Sequence, residues 1–503
     1  MSFMNPNVNR ALIFQGGGSL GAYEAGAYKA INEDLSEYFR TEGRGNDPLF
    51  HIVSGTSIGA INAALLVSYV KENKTWEGSS ERLIAFWEYL STQSTVEKIP
   101  YFNHYWDSWR RLDRRVASGE SARRYFSTKE FILKGVPNVF VPKMPLLDNK
   151  FLDPSNTWYI YDNRPLKENL EKFAKFPIST SFENDEPRLL LVAVDVQELI
   201  PVVFDSYEKE DGSRKSEYGR YGRVKSGRSG KDLDDTEEFE HVIRYDDGIT
   251  SDFVLASCSV PVNYDYTKLN VESRALVGGG QGDSADTGDN NKPSSSNRKK
   301  SLRSFWDGGL LANTPLRQTV LAHREYWHKV RKLEENIPTL RYGIINLHPA
   351  KQEHLPYDYD GVVDRKNDII FHDRTQFDEN VAILMSDFIR LAKSLIKLAE
   401  ENGVNKEAIQ KILKEETKAV YLATGKHWRI GDLIKANVDV DFVVRLERKN
   451  DRHTISNKTF DFSKTTIQQL VQDGYQETKE QMKEVLARIR RELSGTSSSV
   501  SSA

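Results

Sequence analysis

The sequence holds a single cysteine, Cys258, among its 503 residues, so no intramolecular disulfide can form. One thiol fits a reducing compartment and predicts a cytoplasmic protein. Long apolar runs are also missing. The longest nearly apolar stretch, Ile58 to Val70, is shorter than the ~20 residues a helix needs to cross a bilayer. Met1 to Arg10 has no apolar segment of the kind that marks a secretory leader. Neither sign of charge dominates: 70 Lys and Arg face 73 Asp and Glu, a formal net charge of −3. So weak a field argues against nucleic acid as a partner, and leaves attraction to anionic lipid to a local patch. Any contact with a membrane is expected to be peripheral, from the water side.

What is present suits a large α/β fold. Hydrophobic residues at 38% and charged residues at 28% describe a globular chain with a polar surface. The length leaves room for one large α/β domain with insertions, or for two to three smaller ones. Ala11 to Phe14 reads as a short buried strand that runs into glycines. Leu20, Tyr23, Ala27, Ile31 and Leu35 then share one helical face. A second strand, His51 to Ser54, leads to a helix from Ser57 towards Tyr69. This alternation predicts a parallel sheet. Further strands are expected at Leu189–Val194, Val202–Phe204, Tyr342–Leu347 and Asp439–Leu446. Helices are expected after Asn313 and over about 368–402, 406–423 and 465–493. From Phe86 to Phe173 the chain is rich in aromatics without a clean period, among them Trp87, Tyr101, Tyr105, Trp109, Phe151 and Tyr161. That stretch reads as helices and loops covering one side of the domain. Two polar segments, 207–240 and 278–303, are expected to be flexible insertions. Residues 1–9 form an N-terminal tail, and the Ser-rich end, 494–503, a disordered one.

The strongest local signal is Gly55-Thr56-Ser57-Ile58-Gly59, a G-x-S-x-G pattern between an apolar strand and a helix. A serine pushed out on such a turn needs small neighbours two before and two after it. The helix N-terminus beneath it favours developing negative charge. Ser57 is therefore the candidate nucleophile. The alternative is an ordinary N-cap serine at a glycine-rich helix entry. The second signal is Gly16-Gly17-Gly18-Ser19-Leu20-Gly21, whose backbone N–H groups are open to an anion. It fits the dinucleotide fingerprint G-x-G-x-x-G, yet the second strand ends in a serine elbow and not in a ribose-binding acid. No Lys-Ser/Thr follows, which excludes a Walker loop. An oxyanion hole is the better reading. A serine needs a base. None of the ten histidines has a marked setting. An alternative base is Asp307 in Trp306-Asp307-Gly308-Gly309, followed by Asn313-Thr314-Pro315, a run that reads as a tight turn with exposed backbone and that, taken alone, is most often a plain turn.

Together these segments resemble the patatin-like phospholipase family. The match runs over Gln15-Gly16-Gly17-Gly18-Ser19-Leu20-Gly21-Ala22-Tyr23-Glu24-Ala25-Gly26, Gly55-Thr56-Ser57-Ile58-Gly59-Ala60-Ile61-Asn62, and Asp307-Gly308-Gly309 with Asn313-Thr314-Pro315. Ala256 to Pro261 is similar to the family's segment between nucleophile and aspartate. Many members carry an acid before the glycines and Arg or Lys in the loop. Gln15 and Leu20 stand there instead, as in a similar prokaryotic branch, and remove one phosphate-attracting charge.

The resemblance implies a three-layer α/β fold with a central, mainly parallel sheet flanked by helices over 10–348. A mostly helical C-terminal extension, 349–493, would pack on that core. It implies a Ser57–Asp307 dyad with no catalytic histidine. It further implies an oxyanion hole from Gly16, Gly17 and Gly18, motif roles for Gly21, Gly55, Gly59, Gly308 and Gly309, and neither metal nor cofactor. The activity implied is lipid acyl hydrolysis, as a phospholipase A or carboxylic ester hydrolase. A hydrolase of soluble esters or thioesters, a non-catalytic lipid-binding protein and a dinucleotide-binding protein are the alternatives. The basic amphipathic helix around Phe388 to Leu398 is expected to pack its apolar face on the core, with contact to lipid as the alternative. Oligomeric state is left open.

Overall fold

The chain enters its sheet at β1 (Val8–Phe14), which is buried along its whole length. This computed structural model describes residues 8–45, 47–113, 117–143, 158–220, 238–276, 298–333, 337–352, 355–420, 427–434, 440–449 and 455–497. The strand takes in Val8 and Asn9, which the sequence assigned to a tail, because they pair with Thr339 and Leu340. A 3-10 turn at Gly18–Leu20 follows, then α1 (Gly21–Thr41), β2 (Ile52–Thr56) and α2 (Ile58–Asn73). Most of α2 is apolar on every side, so it lies inside the protein.

The aromatic-rich stretch forms α3 (Ser79–Leu90), α4 (Phe102–Leu112), α5 (Gly119–Lys134), a small antiparallel pair β3 (Val141–Pro142) and β4 (Tyr161–Asp162), and α6 (Arg164–Phe173). Trp87, Phe140 and Tyr161 are buried there, while Tyr101, Tyr105 and Trp109 are exposed. Phe151 lies outside the described residues.

Next come β5 (Arg188–Asp195), β6 (Ile200–Asp205), β7 (Lys215–Arg220) and β8 (Glu238–Arg244). The last two correct the expectation of an insertion over 207–240. They pair antiparallel, and β7 buries Ser216 and Tyr218 on alternate positions while Lys215 and Glu217 face out. Charged outer positions hid that alternation. Residues 221–237 lie outside the described set, as do 277–297 of the second polar segment.

After α7 (Ser251–Cys258), β9 (Thr267–Leu276) pairs with β10 (Lys299–Asp307), so 299–303 is strand and not insertion. Then follow α8 (Gly309–Ala312), α9 (Leu316–Glu325) and β11 (Thr339–Asn346).

The C-terminal region departs from its expected outline. The helix expected over 368–402 is two, α10 (Tyr359–Phe371) and α11 (Gln376–Glu401). Asp373 caps the break by accepting from the Thr375 N–H. The one over 406–423 stops as α12 (Lys406–Leu413) and gives way to a hairpin of β12 (Glu416–Val420) and β13 (His427–Arg429). Then α13 (Ile430–Ile434), β14 (Val440–Glu447) and α14 (Lys464–Ser497) complete the chain. The last helix runs into the expected tail. Contrary to expectation, α11 does not pack its apolar face on the core: Phe377, Leu384, Phe388, Leu391, Leu395 and Leu398 are all exposed. A narrow stripe around Ser386 and Ile389 is buried instead.

One sheet joins ten strands in the order β14-β11-β1-β2-β5-β10-β9-β8-β7, with β6 also on β5. The run from β14 to β5 is parallel. Beyond β5 the pairings are antiparallel. The register around β5 sets up everything below. Residues 190–195 of β5 pair with β6 on one edge. Thr56 of β2 sits opposite Val192, and Asp307 of β10 sits opposite Ala193. Each strand has two edges, so β2 and β10 must share the other edge, meeting end to end.

The C-terminal segment is built into this body. β14 extends the parallel run, and α14 lies along α1. Two glycines allow the helices to touch: a Cβ at Gly26 would strike the Val471 carbonyl, and one at Gly474 the Tyr23 carbonyl. Overpacking of this kind costs about 1–3 kcal/mol. Gly474→Ala is therefore expected to lower the thermal midpoint by several degrees. Gly45→Ala, in open space, is expected to leave it unchanged.

Candidate active site

Ser57 occupies the bend between β2 and α2 with φ 57° and ψ −128°. A non-glycine residue in that region holds of order 1–3 kcal/mol of strain and persists only where its surroundings fix it. Here they do. The Ser57 N–H donates to Ser257 Oγ at 2.9 Å. Its carbonyl accepts from the Ala60 N–H at 2.9 Å and from the Cys258 thiol at 3.0 Å. Ser257 Oγ in turn donates to the Val192 carbonyl at 2.6 Å, tying the bend to β5. The flanking glycines are steric necessities. A Cβ at Gly55 would strike the Gly59 carbonyl, and one at Gly59 would lie 2.7 Å from the Phe14 carbonyl oxygen.

The Ser57 hydroxyl does not cap α2. It donates to Asp307 Oδ2 at 2.5 Å. Asp307 is the last residue of β10, and the shared edge of β5 brings it there. Its other oxygen accepts from the Gly309 N–H at 2.7 Å, and its own N–H donates to the Ser259 carbonyl at 2.9 Å. Gly308 crosses so close over β5 that a Cβ would strike the Val192 carbonyl. Burial pushes the Asp307 carboxyl up to about 6, against the hydrogen bonds from Ser57 and Gly309. Burial, and then Asp307, also push the Cys258 thiol well up, so it stays a neutral donor to the bend. Ser257, Cys258 and Ser259 thus hold both Ser57 and Asp307. The sequence marked this segment by resemblance alone, with no role attached to it.

The glycine loop lies beside the bend. A Cβ at Gly16 would be 3.0 Å from the Ser57 Cβ. Gly18 has φ 58° and packs on Thr459. Gly21 admits Trp87 and Ile58 against the first turn of α1. Among the described residues, no acceptor takes the N–H groups of Gly17 and Gly18. The loop is held from beneath. Gln15 donates its N–H to Glu24 Oε1 at 2.7 Å, and its amide side chain binds Thr314, the Phe371 carbonyl and the Leu347 N–H. Burial holds the Glu24 carboxyl well above its usual range. Glu24 Oε2 accepts from Asn62, which accepts from the Trp87 indole at 3.0 Å. Asn313 donates to the carbonyls of Gly16 and Phe371.

The structure thus brings together Ser57, Asp307, Gly16, Gly17, Gly18, Gly55, Gly59, Gly308 and Gly309, with Gly21 just behind, but the Gly16 N–H donates to the Asn313 carbonyl at 3.3 Å, so of the three expected oxyanion donors it is not an open one. Among the described residues no histidine bonds to Ser57 or Asp307. None of their His, Cys, Asp and Glu side chains cluster to hold a metal ion. No described helix is long and apolar enough to cross a membrane.

The model of the patatin-like phospholipase family matches residues 12–320, and the chain belongs to that family. Its fold is the expected sheet flanked by helices with a largely helical C-terminal region. Among solved structures, VipD from Legionella pneumophila is similar with a TM-score of 0.26 at 11% identity, over 95% of this chain and 67% of that one. A comparison with curated protein sequences gave no match.

Asp307 makes a stability prediction. An unfolded aspartate titrates near ~3.9, and the folded one near 6. The folded state therefore binds the extra proton, and stability falls as pH rises from about 4 to about 6. Above that window the whole penalty of a buried carboxylate is present. Asp307→Asn is expected to raise the thermal midpoint at pH 8, with the gain vanishing near pH 4. A midpoint difference independent of pH would contradict this.

Proposed function

We propose that the protein is a serine acyl hydrolase acting on lipid esters, with Ser57 as nucleophile and Asp307 as its base. The observation that carries this reading is the 2.5 Å hydrogen bond from Ser57 Oγ to Asp307 Oδ2 at the strained bend. Asp307 takes the hydroxyl proton as Ser57 Oγ bonds to the ester carbonyl carbon. The carbonyl oxygen, now an anion, takes hydrogen bonds from the free N–H groups of Gly17 and Gly18. Collapse breaks the ester C–O bond, and Asp307 returns the proton to the departing alcohol. Water then attacks the acyl-enzyme, with Asp307 again as base, and frees the fatty acid. A carboxylate is a weak base for a hydroxyl, and the raised pKa of Asp307 narrows that mismatch.

Hydrolysis of soluble esters or thioesters uses the same groups. A non-catalytic lipid carrier would have no use for the bond between Ser57 and Asp307. Dinucleotide binding would need an acid at the end of β2, where Ser57 stands. A fluorescence titration with NAD(H) is expected to show no binding.

Ser57→Ala and Asp307→Asn are each expected to abolish turnover of a short p-nitrophenyl ester, and Ser57→Ala to abolish labelling by a fluorophosphonate. Full activity in Asp307→Asn would remove Asp307 as base. Because the carboxylate is the working form, kcat/KM is expected to fall about tenfold per pH unit below about 6.

We also propose peripheral contact with a lipid surface. Leu310 and Leu311, just after Asp307, are half exposed, and α11 opens its apolar side soon after Phe371, whose carbonyl touches Gln15 and Asn313. Phe388→Ser with Leu391→Ser is expected to reduce hydrolysis of vesicle lipid while sparing the soluble ester. Equal loss on both substrates would count against this contact.

A further inference from the structure

The family match ends at residue 320, yet the glycine loop is gripped from far beyond it. His348 follows β11 and is buried, its side chain only 2% exposed. Its Nε2 lies 3.2 Å from the Gly16 carbonyl oxygen, and its Nδ1 lies 3.0 Å from Asp368 Oδ1. Both neighbours are acceptors. The ring can satisfy Gly16 only by carrying a proton on Nε2, and can satisfy both only as an imidazolium. Around it, Lys458 Nζ reaches Asp368 Oδ1 at 2.6 Å and Asp364 Oδ1 at 3.1 Å. Burial, joined by Lys458, outweighs Asp368 and the Gly16 carbonyl and holds the ring below its usual range, so the neutral ring with its proton on Nε2 is the form that serves Gly16. The same elements touch the loop twice more. Ser19 Oγ donates to the Lys458 carbonyl at 2.8 Å, and the Leu347 N–H donates to Gln15 Oε1 at 2.7 Å.

The Gly16 carbonyl belongs to the peptide whose N–H is that of Gly17. Its direction therefore fixes where one of the two free N–H groups points.

We propose that His348 is a positioning residue for the oxyanion loop, donating from Nε2 to the Gly16 carbonyl and braced by Asp368 and Lys458. The proposal rests on the acyl hydrolase reading above. It makes the C-terminal segment a working part of the site, through β11, α10 and the 458–460 turn. No contact between His348 and the substrate is involved, so its effect belongs in kcat. Misplacing reacting groups by about 1 Å can cost ~10² in rate.

The test compares two variants of the full chain. His348→Gln keeps an N–H donor near the Nε2 position, and His348→Met fills similar space without one. On a soluble p-nitrophenyl ester, His348→Met is expected to lose about 10- to 100-fold in kcat, with KM within about twofold of wild type. His348→Gln is expected to recover most of that loss at the same thermal midpoint as His348→Met. Equal loss in both variants, or a loss confined to KM, would overturn the proposal. So would wild-type kcat in His348→Met. Asp368→Asn, which leaves the Gly16 contact in place, is expected to fall between them; a loss larger than that of His348→Met would also overturn it. Wild-type protein and Ser57→Ala are run alongside. Absence of Ser57-dependent turnover in the wild type would instead overturn the acyl hydrolase reading beneath it.

Discussion

Everything at the site depends on two strands ending on the same edge of β5. With β6 occupying the far edge, β2 and β10 meet between Val192 and Ala193. Neither can continue, so each must turn out of the sheet at the same place. The turn after β2 carries Ser57, and the turn after β10 carries Asp307. Their hydrogen bond follows from strand register and not from local sequence. The same crowding explains the glycines. At Gly55 and Gly59 the chain bends against itself and against β1, and at Gly308 it crosses the Val192 carbonyl. That carbonyl also accepts from Ser257, which ties the Ser57 turn to the same peptide of β5 that Gly308 crosses.

This arrangement works against stability at two points. Ser57 holds an unfavourable backbone conformation, and Asp307 is buried with no cation in contact among the described residues. The surroundings answer each with directed hydrogen bonds. Ser257 and Cys258 satisfy the N–H and carbonyl of Ser57, and Ser259 fixes the N–H of Asp307. The donors on the Asp307 carboxyl itself, Ser57 Oγ and the Gly309 N–H, are uncharged and lower it by less than burial raises it. A lysine or arginine in contact would make a firmer ion pair and hold the carboxyl lower. Buried acids elsewhere show the contrast: Arg188 holds Asp205 far below the usual carboxylate range, which suits a structural pair.

The sequence made legible what local chemistry dictates. Strand, glycines and helix around Ser57 could be read directly, because a sharp bend demands small residues at fixed offsets. Asp307 with its two glycines reads locally as a plain turn, and only the resemblance singled it out. What could not be read was the identity of partners far along the chain. Ser257 and Cys258 look like any helix end until β5 is seen beside them. His348 and Asp368 are ordinary polar residues until α10 folds back on β11. The periodicity of α11 revealed an apolar face but not what lies against it. A narrow contact at Ser386 and Ile389 won, and the wider face stayed in the open. At 406–423, helical spacing over α12 ran on past Leu413, where backbone pairing between β12 and β13 took over.

The C-terminal region makes the family boundary a poor guide to the working unit. β14 supplies backbone partners to β11, which would otherwise be an edge strand. Without α14, the buried face of α1 would meet water, including the surface around Gly26. Since α1 begins where the glycine loop ends, any shift in that helix moves the loop as well. Gln15, Gly16 and Ser19 are held by Leu347, Phe371, His348 and Lys458. The loop therefore takes its shape from both halves of the chain. A fragment cut at the end of the family match would keep Ser57 and Asp307 but lose the floor under the glycines. The Ser57–Asp307 pair and many of the contacts that hold the loop beside it thus lie in different parts of one sequence, and the shared sheet brings them together.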